Sequence, residues 1–387
     1  MIGLKAAILT MSFLQMATSA IAAVLAQIAE EFLRISEITI QYLMTFPNLM
    51  IVVMSMLTAR LSICFSKRTL SIIGLFLGCL AGVGSFLFHE SIVFLYIWAG
   101  MLGTGIGLII PIATSLISDY FEGNEKDKFL GYQTSAANIG SMVMTFVGGM
   151  LASIGWYYNY LVYLLAIPGL ILTFLFVPKE NVVQTEITTS TTVTDQKNTA
   201  SSQVWFYFVV AALFMLLFYI APTNLALLTA ERGINNPMIA GTAATILLFG
   251  GTVMGLFFGK ISAQIKKNAI PAGFFVLMTG YLLIYGTHQI SLLYAGSFLI
   301  GTSNTLVLTC CMGSVATVDK AQSTFRMSMV FAVANLGTFF TPALTGISKQ
   351  ILQTEMVSAR FLFTAITAAV IMITTAIFLN KREGKND

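Results

Sequence analysis

The chain has 387 residues, of which 57% are hydrophobic and 9% charged, and its formal net charge is +4. A soluble globule covers its surface with about 25% charged residues, so this composition, with a mean hydropathy of +0.86, excludes a soluble protein and points to a membrane chain. Two histidines and four cysteines leave almost no material for a metal centre or a disulfide framework.

Twelve apolar runs follow one another, at 6–29, 39–62, 69–88, 91–118, 130–153, 157–178, 203–229, 237–259, 269–287, 290–316, 325–350 and 356–379. Each suits a transmembrane helix, which takes roughly 20 mostly apolar residues. Stretches such as Ile51 to Leu57 and Ile106 to Pro111 lack the alternation of a membrane β-strand. The expected fold class is therefore an all-α integral membrane protein with twelve transmembrane helices. The first run is too long for a signal-peptide core and is expected to remain as the first span.

Glycines recur every four residues at Gly74, Gly78 and Gly82, at Gly103 and Gly107, and at Gly251, Gly255 and Gly259. That spacing lets helix backbones approach closely in a membrane. A phosphate-binding glycine loop would need a strand before it and a lysine after it, and Gly103 has neither. Cys64, Cys79, Cys310 and Cys311 fall in or at the ends of spans and read as packing residues, while His89 and His288 fall in loops. Between the sixth and seventh runs, residues 179–203 are polar, with Thr188-Thr189-Ser190-Thr191-Thr192 at their centre. They read as a linker between an N-terminal six-helix bundle at 1–178 and a C-terminal one at 204–387.

Two stretches repeat across that linker. Ala137-Asn138-Ile139-Gly140-Ser141 returns as Ala334-Asn335-Leu336-Gly337-Thr338, and Ala59-Arg60-Leu61-Ser62 before Lys67-Arg68 returns as Gly259-Lys260-Ile261-Ser262 before Lys266-Lys267. Both echoes run in the same direction, as expected for two halves related by a pseudo-two-fold axis. Tandem six-helix units are a common plan of secondary transporters, with the solute site near the midplane between the halves. Lysine and arginine set the orientation, since loops on the cytoplasmic side carry the excess. With the N-terminus inside, sixteen basic residues face the cytoplasm, and Arg34, Arg232, Lys349 and Arg360 lie outside. This asymmetry accounts for the net positive charge as an insertion signal, so no nucleic-acid partner is needed; anionic lipid headgroups are a secondary contact.

Several of these residues resemble the major facilitator superfamily. Gly103 to Pro111, Ser118-Asp119-Tyr120-Phe121, Gly131, Ala136 to Gly140, Gly148-Gly149 and Gly155-Trp156 look like the fourth-to-sixth-helix region of its drug-proton antiporter branch. Lys67 and Arg68 match the basic end of the superfamily's loop motif, and Lys266 and Lys267 match it in the second half, with Ile63 and Ala263 where an acid stands in the motif. Two features of the antiporter branch are replaced: its fourth-helix arginine by Ala99, and its fifth-helix Gly-Pro pair by Met144-Thr145. The resemblance implies a transporter of the bacterial cytoplasmic membrane with both termini cytoplasmic. It implies no enzyme activity and no cofactor, and the chain is expected to act as a monomer. It also implies a cavity lined by the first, fourth, seventh and tenth helices.

The charge map leaves the midplane without an ionisable group, and such groups within the membrane usually mark ion pathways. A neutral or weakly charged amphipathic solute fits that cavity best, with export as the expected direction and uptake by symport or uniport as the alternative. Candidate solute contacts are Gln15, Gln41, Asn48, Tyr219, Asn224, Asn304, Asn335 and Phe339. Amides at such depths also serve as hydrogen-bond glue between helices, and Asn138 and Asn335 read that way first. If protons are coupled, the candidate carriers are Asp119, Glu30 and Glu31, with Asp119 expected to pair with Lys126 or Lys128 and Asp319 with Lys320. Arg60, Lys67, Arg68, Lys266 and Lys267 are expected to hold a gate at the cytoplasmic loops.

Overall fold

The structure is a computed structural model and describes residues 2–179, 202–234, 236–265, 268–318 and 323–383. The first span is broken: α1 (Ile2–Phe13) gives way to a 3₁₀ segment (Ala17–Ala23) and then to α2 (Leu25–Glu31). Next come α3 (Glu37–Cys64), α4 (Lys67–Leu87), α5 (Ile92–Tyr120) and α6 (Gly123–Leu151). The sixth pass joins a 3₁₀ segment (Trp156–Ala166) to α7 (Ile167–Phe176). The seventh joins α8 (Ser202–Phe218) to α9 (Ile220–Glu231), followed by α10 (Pro237–Ile265), α11 (Ala269–Tyr285) and α12 (Ile290–Val318). The eleventh pass is α13 (Ser323–Phe339) and α14 (Thr341–Leu352), bent by 43°, and α15 (Val357–Glu383) is the last.

Among the described residues nine passes are long and apolar enough to cross a membrane, and the bent pair makes a tenth. The shorter apolar α11 and the less apolar 29-residue α6 complete the twelve-pass plan. No strand occurs among the described residues. Most of the expected linker, and the loop residues Lys266, Lys267, Asp319 and Lys320, lie outside the described residues.

Local chemistry explains where several helices start and break. Ser36 and Ser66 each accept from the backbone N–H three residues on, at Thr39 and Thr69, both at 3.2 Å, which caps α3 and α4. Pro222 has no N–H to give the Phe218 carbonyl, so the helix breaks at Tyr219. The buried Tyr281 hydroxyl of α11 repairs the break. It lies 2.7 Å from the Leu217 carbonyl and 3.1 Å from that of Phe218, and it accepts from the Ala221 N–H at 3.1 Å. Tyr281→Phe would leave these backbone groups unsatisfied in an apolar core, at a cost of about 1–3 kcal/mol. A lowered thermal unfolding midpoint of the detergent-solubilised protein is the expected result.

The repeated sequences occupy equivalent crossings. A Cβ at Gly140 of α6 would strike the carbonyl of Phe13 at the end of α1, and a Cβ at Gly337 of α13 would strike that of Ala212 in α8. Gly103 of α5 meets the Pro47 carbonyl of α3 as Gly301 of α12 meets the Leu247 carbonyl of α10. Each half therefore packs its fifth pass on its first and its fourth on its second through a glycine at matched register. One buried apolar cluster draws mainly on Leu4 to Val177 and another on Val204 to Ala368. Tyr219, Ala26 and Ala29 pack against both.

Candidate functional site

The two halves meet at the face opposite the termini. There α3 begins with Glu37, whose carboxylate is clasped by Arg360 of α15: Nη1 bonds Oε1, and Nη2 bonds Oε2 at 2.8 Å. Lys349 of α14 lies 3.2 Å from Glu37 Oε2 and 2.6 Å from Glu355. Arg360 Nη1 also donates to Asn224 Oδ1 of α9 at 2.7 Å, and Gln41 donates to the same oxygen at 2.8 Å and to Glu37 at 3.2 Å. The Arg360 side chain is 1% exposed. A guanidinium so deep in an apolar chain is costly to desolvate unless paired and hydrogen-bonded, and here a carboxylate and an amide supply both.

Further contacts continue inward along α3. Ile38 packs on Gly346, the Tyr42 and Phe339 rings lie 5.5 Å apart, and Thr45 donates to the Phe339 carbonyl at 3.4 Å. From Glu37 to Thr45 this seam spans about 12 Å at the helical rise of 1.5 Å per residue. Beside it, Gly149 of α6 and Gly241 of α10 cross with almost no space between their backbones. A cavity of about 60 Å³ remains between the halves, lined by Ala23, Gln27, Glu30, Ala226, Thr229 and Pro237 among others. Pockets for drug-sized ligands run to about 300–1,000 Å³, so this remnant accommodates little more than water.

At the termini face two ion pairs tie helices of the first half to each other. Lys67 at the start of α4 bonds Asp119 near the end of α5. Arg68 bonds the Phe174 carbonyl and stands 5.1 Å over its ring, while Lys5 of α1 pairs with Glu125 of α6 at 2.7 Å. Asp119 thus has a partner that the sequence did not point to, Lys67; of the expected partners Lys126 and Lys128, the side chain of Lys126 lies outside the described residues. The packing of α4 on α5 brings the start of one helix to the end of the other.

The structure divides the other candidates. Gln41 and Asn224 are fully buried within the Glu37–Arg360 cluster. Asn48 is buried and donates to the Thr45 carbonyl at 3.3 Å, and Asn335 donates to that of Phe331 at 2.9 Å. Gln15 sits half-buried in the break of the first span, with its amide 3.4 Å from Ser12. Tyr219 sits in the break of the seventh pass, with Thr18 in hydrogen-bonding reach of its hydroxyl. In the polar run of α12, Thr302, Ser303 and Thr305 bond the carbonyls of Leu299, Ile300 and Gly251 at 2.6–2.7 Å. Within this run Asn304 keeps a buried acceptor, Oδ1, without a partner, as Gln41 does with its Oε1. Glu30, Glu31 and Arg60 are exposed. Sequence reasoning missed Glu37, Lys349 and Arg360; the available signal was that Arg360 stands a full turn inside a helix that is otherwise apolar at that end.

Comparisons with known proteins bear on this architecture. The model of the Major Facilitator Superfamily matches residues 7–317 and, in a second match, 208–387. The chain belongs to this superfamily. Its members are transport proteins, so the chain is a multi-pass transporter and not an enzyme. No curated protein matches the sequence. Among solved structures it is similar to a mutant of peptide transporter POT in complex with alafosfalin, with a TM-score of 0.75 at 10% identity over 98% of this chain and 95% of that one. A POT family transporter in complex with 5-aminolevulinic acid gives 0.73 at 15% identity, covering 98% and 96%. A bacterial homolog to the human lysosomal transporter Spinster, inward-facing and unoccupied, gives 0.70 at 14% identity, covering 98% and 95%. At such identities these likenesses show the fold alone.

Proposed function

We propose that the protein is an alternating-access exporter of small, neutral or weakly charged amphipathic solutes. The observation that carries this reading is the seam just described: among the described residues the contacts between the halves gather at the face opposite the termini, where the buried Glu37–Arg360 pair lies. The state is then inward-facing, with the termini face cytoplasmic in a bacterial membrane, bundles at 1–178 and 204–387, and a solute path toward Asn304 and Gln15. A zwitterion such as 5-aminolevulinic acid brings an ammonium and a carboxylate, each of which favours a charged partner. The candidate contacts Gln15, Asn304 and Tyr219 offer two amides and a phenol, which suit a solute with an apolar body and few hydrogen-bonding groups.

Flux through proteoliposomes of known orientation tests this, using lipophilic dyes and small metabolites with and without an imposed pH gradient. Gradient-driven dye movement away from the termini face is the expected result. A second reading, uptake by symport or uniport, draws support from the antiporter motif's absent positions. Ala99 is buried where the branch carries arginine, and Met144 and Thr145 are fully buried where it carries Gly-Pro. Gradient-independent movement of a polar metabolite would favour that reading. In either case Asn304→Leu is expected to lower flux about fivefold at limiting solute, the loss of one neutral hydrogen bond, with expression and monodispersity retained. Unchanged flux would remove Asn304 from the path.

A further inference from the structure

We infer that Glu37 is a proton-operated latch. Ionised, it holds the face opposite the termini shut through Arg360 and Lys349; protonated from the solution on that side, it lets the halves part. The inference rests on the alternating-access reading and assigns a gating residue that the expected carriers Asp119, Glu30 and Glu31 do not supply. Asp119 is paired within its own half, and Glu30 and Glu31 are exposed before α3. Glu37 differs in bonding cations of the opposite half.

The two sides of the pair are unequal, and that inequality makes a switch. The Arg360 side chain is sealed at 1% exposure, whereas that of Glu37 is 23% exposed, so protons can reach the carboxylate while its partner stays shielded. Arg360 is also fixed from its own half. Glu231 of α9 caps the start of α15 by accepting from the backbone N–H groups of Val357 and Ser358, and Asn224 of α9 accepts from the guanidinium. The charged surroundings of Glu37 among the described residues are Arg360 and Lys349, with Glu355 behind Lys349. Exposed Glu31 and Arg34 precede it on the chain. The nearby phenols, Tyr42 on α3 and Tyr96 bonding the Thr39 carbonyl from α5, stay neutral where carboxylates titrate.

The proton balance is simple. One proton from the bathing solution adds to a carboxylate oxygen, the anion is lost, and the charge-assisted bonds to Arg360 and Lys349 go with it. Lys349 keeps Glu355, but Arg360 then remains without a carboxylate, and water entering between the parted halves solvates it. Reclosure returns the proton to the same solution as Arg360 re-forms its pair. The stabilisation of the shut face belongs to the ionised form, so it is present above the titration of Glu37 and is lost as pH falls through it.

The test reads accessibility rather than flux, so failure of the transport reading and failure of the latch are distinguishable. With the four native cysteines replaced by serine, Ile38→Cys, which lies beneath the latch against Gly346, is labelled by a membrane-impermeant maleimide in proteoliposomes. Correction for the reagent's own pH dependence comes from a free thiol. The expected result is slow labelling near neutral pH and labelling about tenfold faster under acid applied to that face. Glu37→Gln, isosteric and still able to bond Arg360, is expected to label fast at both pH values. Glu37→Asp, which keeps the charge, should retain the pH response and decides the matter should the glutamine variant fail to fold. Corrected labelling independent of pH with Glu37 or aspartate present, or a monodisperse Glu37→Gln as shut as its parent, would overturn the proposal.

Discussion

Gly149→Trp is expected to hold the face opposite the termini open and to stop solute flux while leaving both bundles folded. A Cβ on Gly149 would stand 3.3 Å from the Gly241 Cα and 3.4 Å from the Pro237 carbonyl, and a Cβ on Gly241 would stand 3.2 Å from both the Gly149 Cα and the Thr145 carbonyl. A single methyl at this crossing asks the neighbours to yield slightly, so Gly149→Ala should slow transport without ending it. An indole, which buries roughly 150–250 Å², has no space at all. Because α6 and α10 belong to different halves, the wedge is relieved by parting them and not by unravelling either one. Labelling of Ile38→Cys should therefore be fast in the tryptophan variant at every pH. If labelling stays slow and flux stays normal, the Gly149–Gly241 crossing takes no part in the cycle.

The sequence carries the architecture in its hydropathy because the bilayer demands it: backbone groups in hydrocarbon must be satisfied internally, so each span announces itself as one long apolar run. The repeat was legible for a related reason. Gly140 and Gly337 recur because both halves make the same crossing, and a side chain is excluded from each. Helix breaks were legible only where a residue forbids the helix. Pro222 marks the break at Tyr219, but nothing in Leu14-Gln15-Met16 lacks a hydrogen-bonding backbone, so the break after α1 is invisible to composition. The latch was least legible. Glu37 and Arg360 each stand at the edge of an apolar run, where a charge reads as an interfacial anchor, and their pairing exists only once the first and last parts of the chain are brought together. Likewise, hydropathy treats Thr302 to Thr305 as one polar cluster, while the backbone geometry satisfies three side chains and leaves Asn304 with its acceptor free.

Gly140→Leu and Gly337→Leu are each expected to abolish accumulation of folded protein, in contrast to Gly149→Trp. The atom facing a Cβ at Gly140 is the carbonyl oxygen of Phe13, and at Gly337 that of Ala212, so neither clash can be relieved by turning a flexible side chain. Both crossings lie inside one half, between the first and fifth passes of the first and between α8 and α13 in the second, where the bundle has no alternative arrangement to move into. Overpacking of this kind typically costs 1–3 kcal/mol, and more where backbone must shift, a large part of the roughly 5–15 kcal/mol that holds a domain together. Gly131→Leu is the control, since no atom lies within 4 Å of a Cβ there and that side chain enters open space. Fluorescence-detected size exclusion of the three variants makes the comparison directly: a monodisperse peak for Gly131→Leu and its loss for the other two is the expected pattern. Were Gly140→Leu to fold while Gly337→Leu did not, the matched register of the two halves would hold in sequence but not in energy, and the first half would have to tolerate a wider α1–α6 spacing than the second allows between α8 and α13.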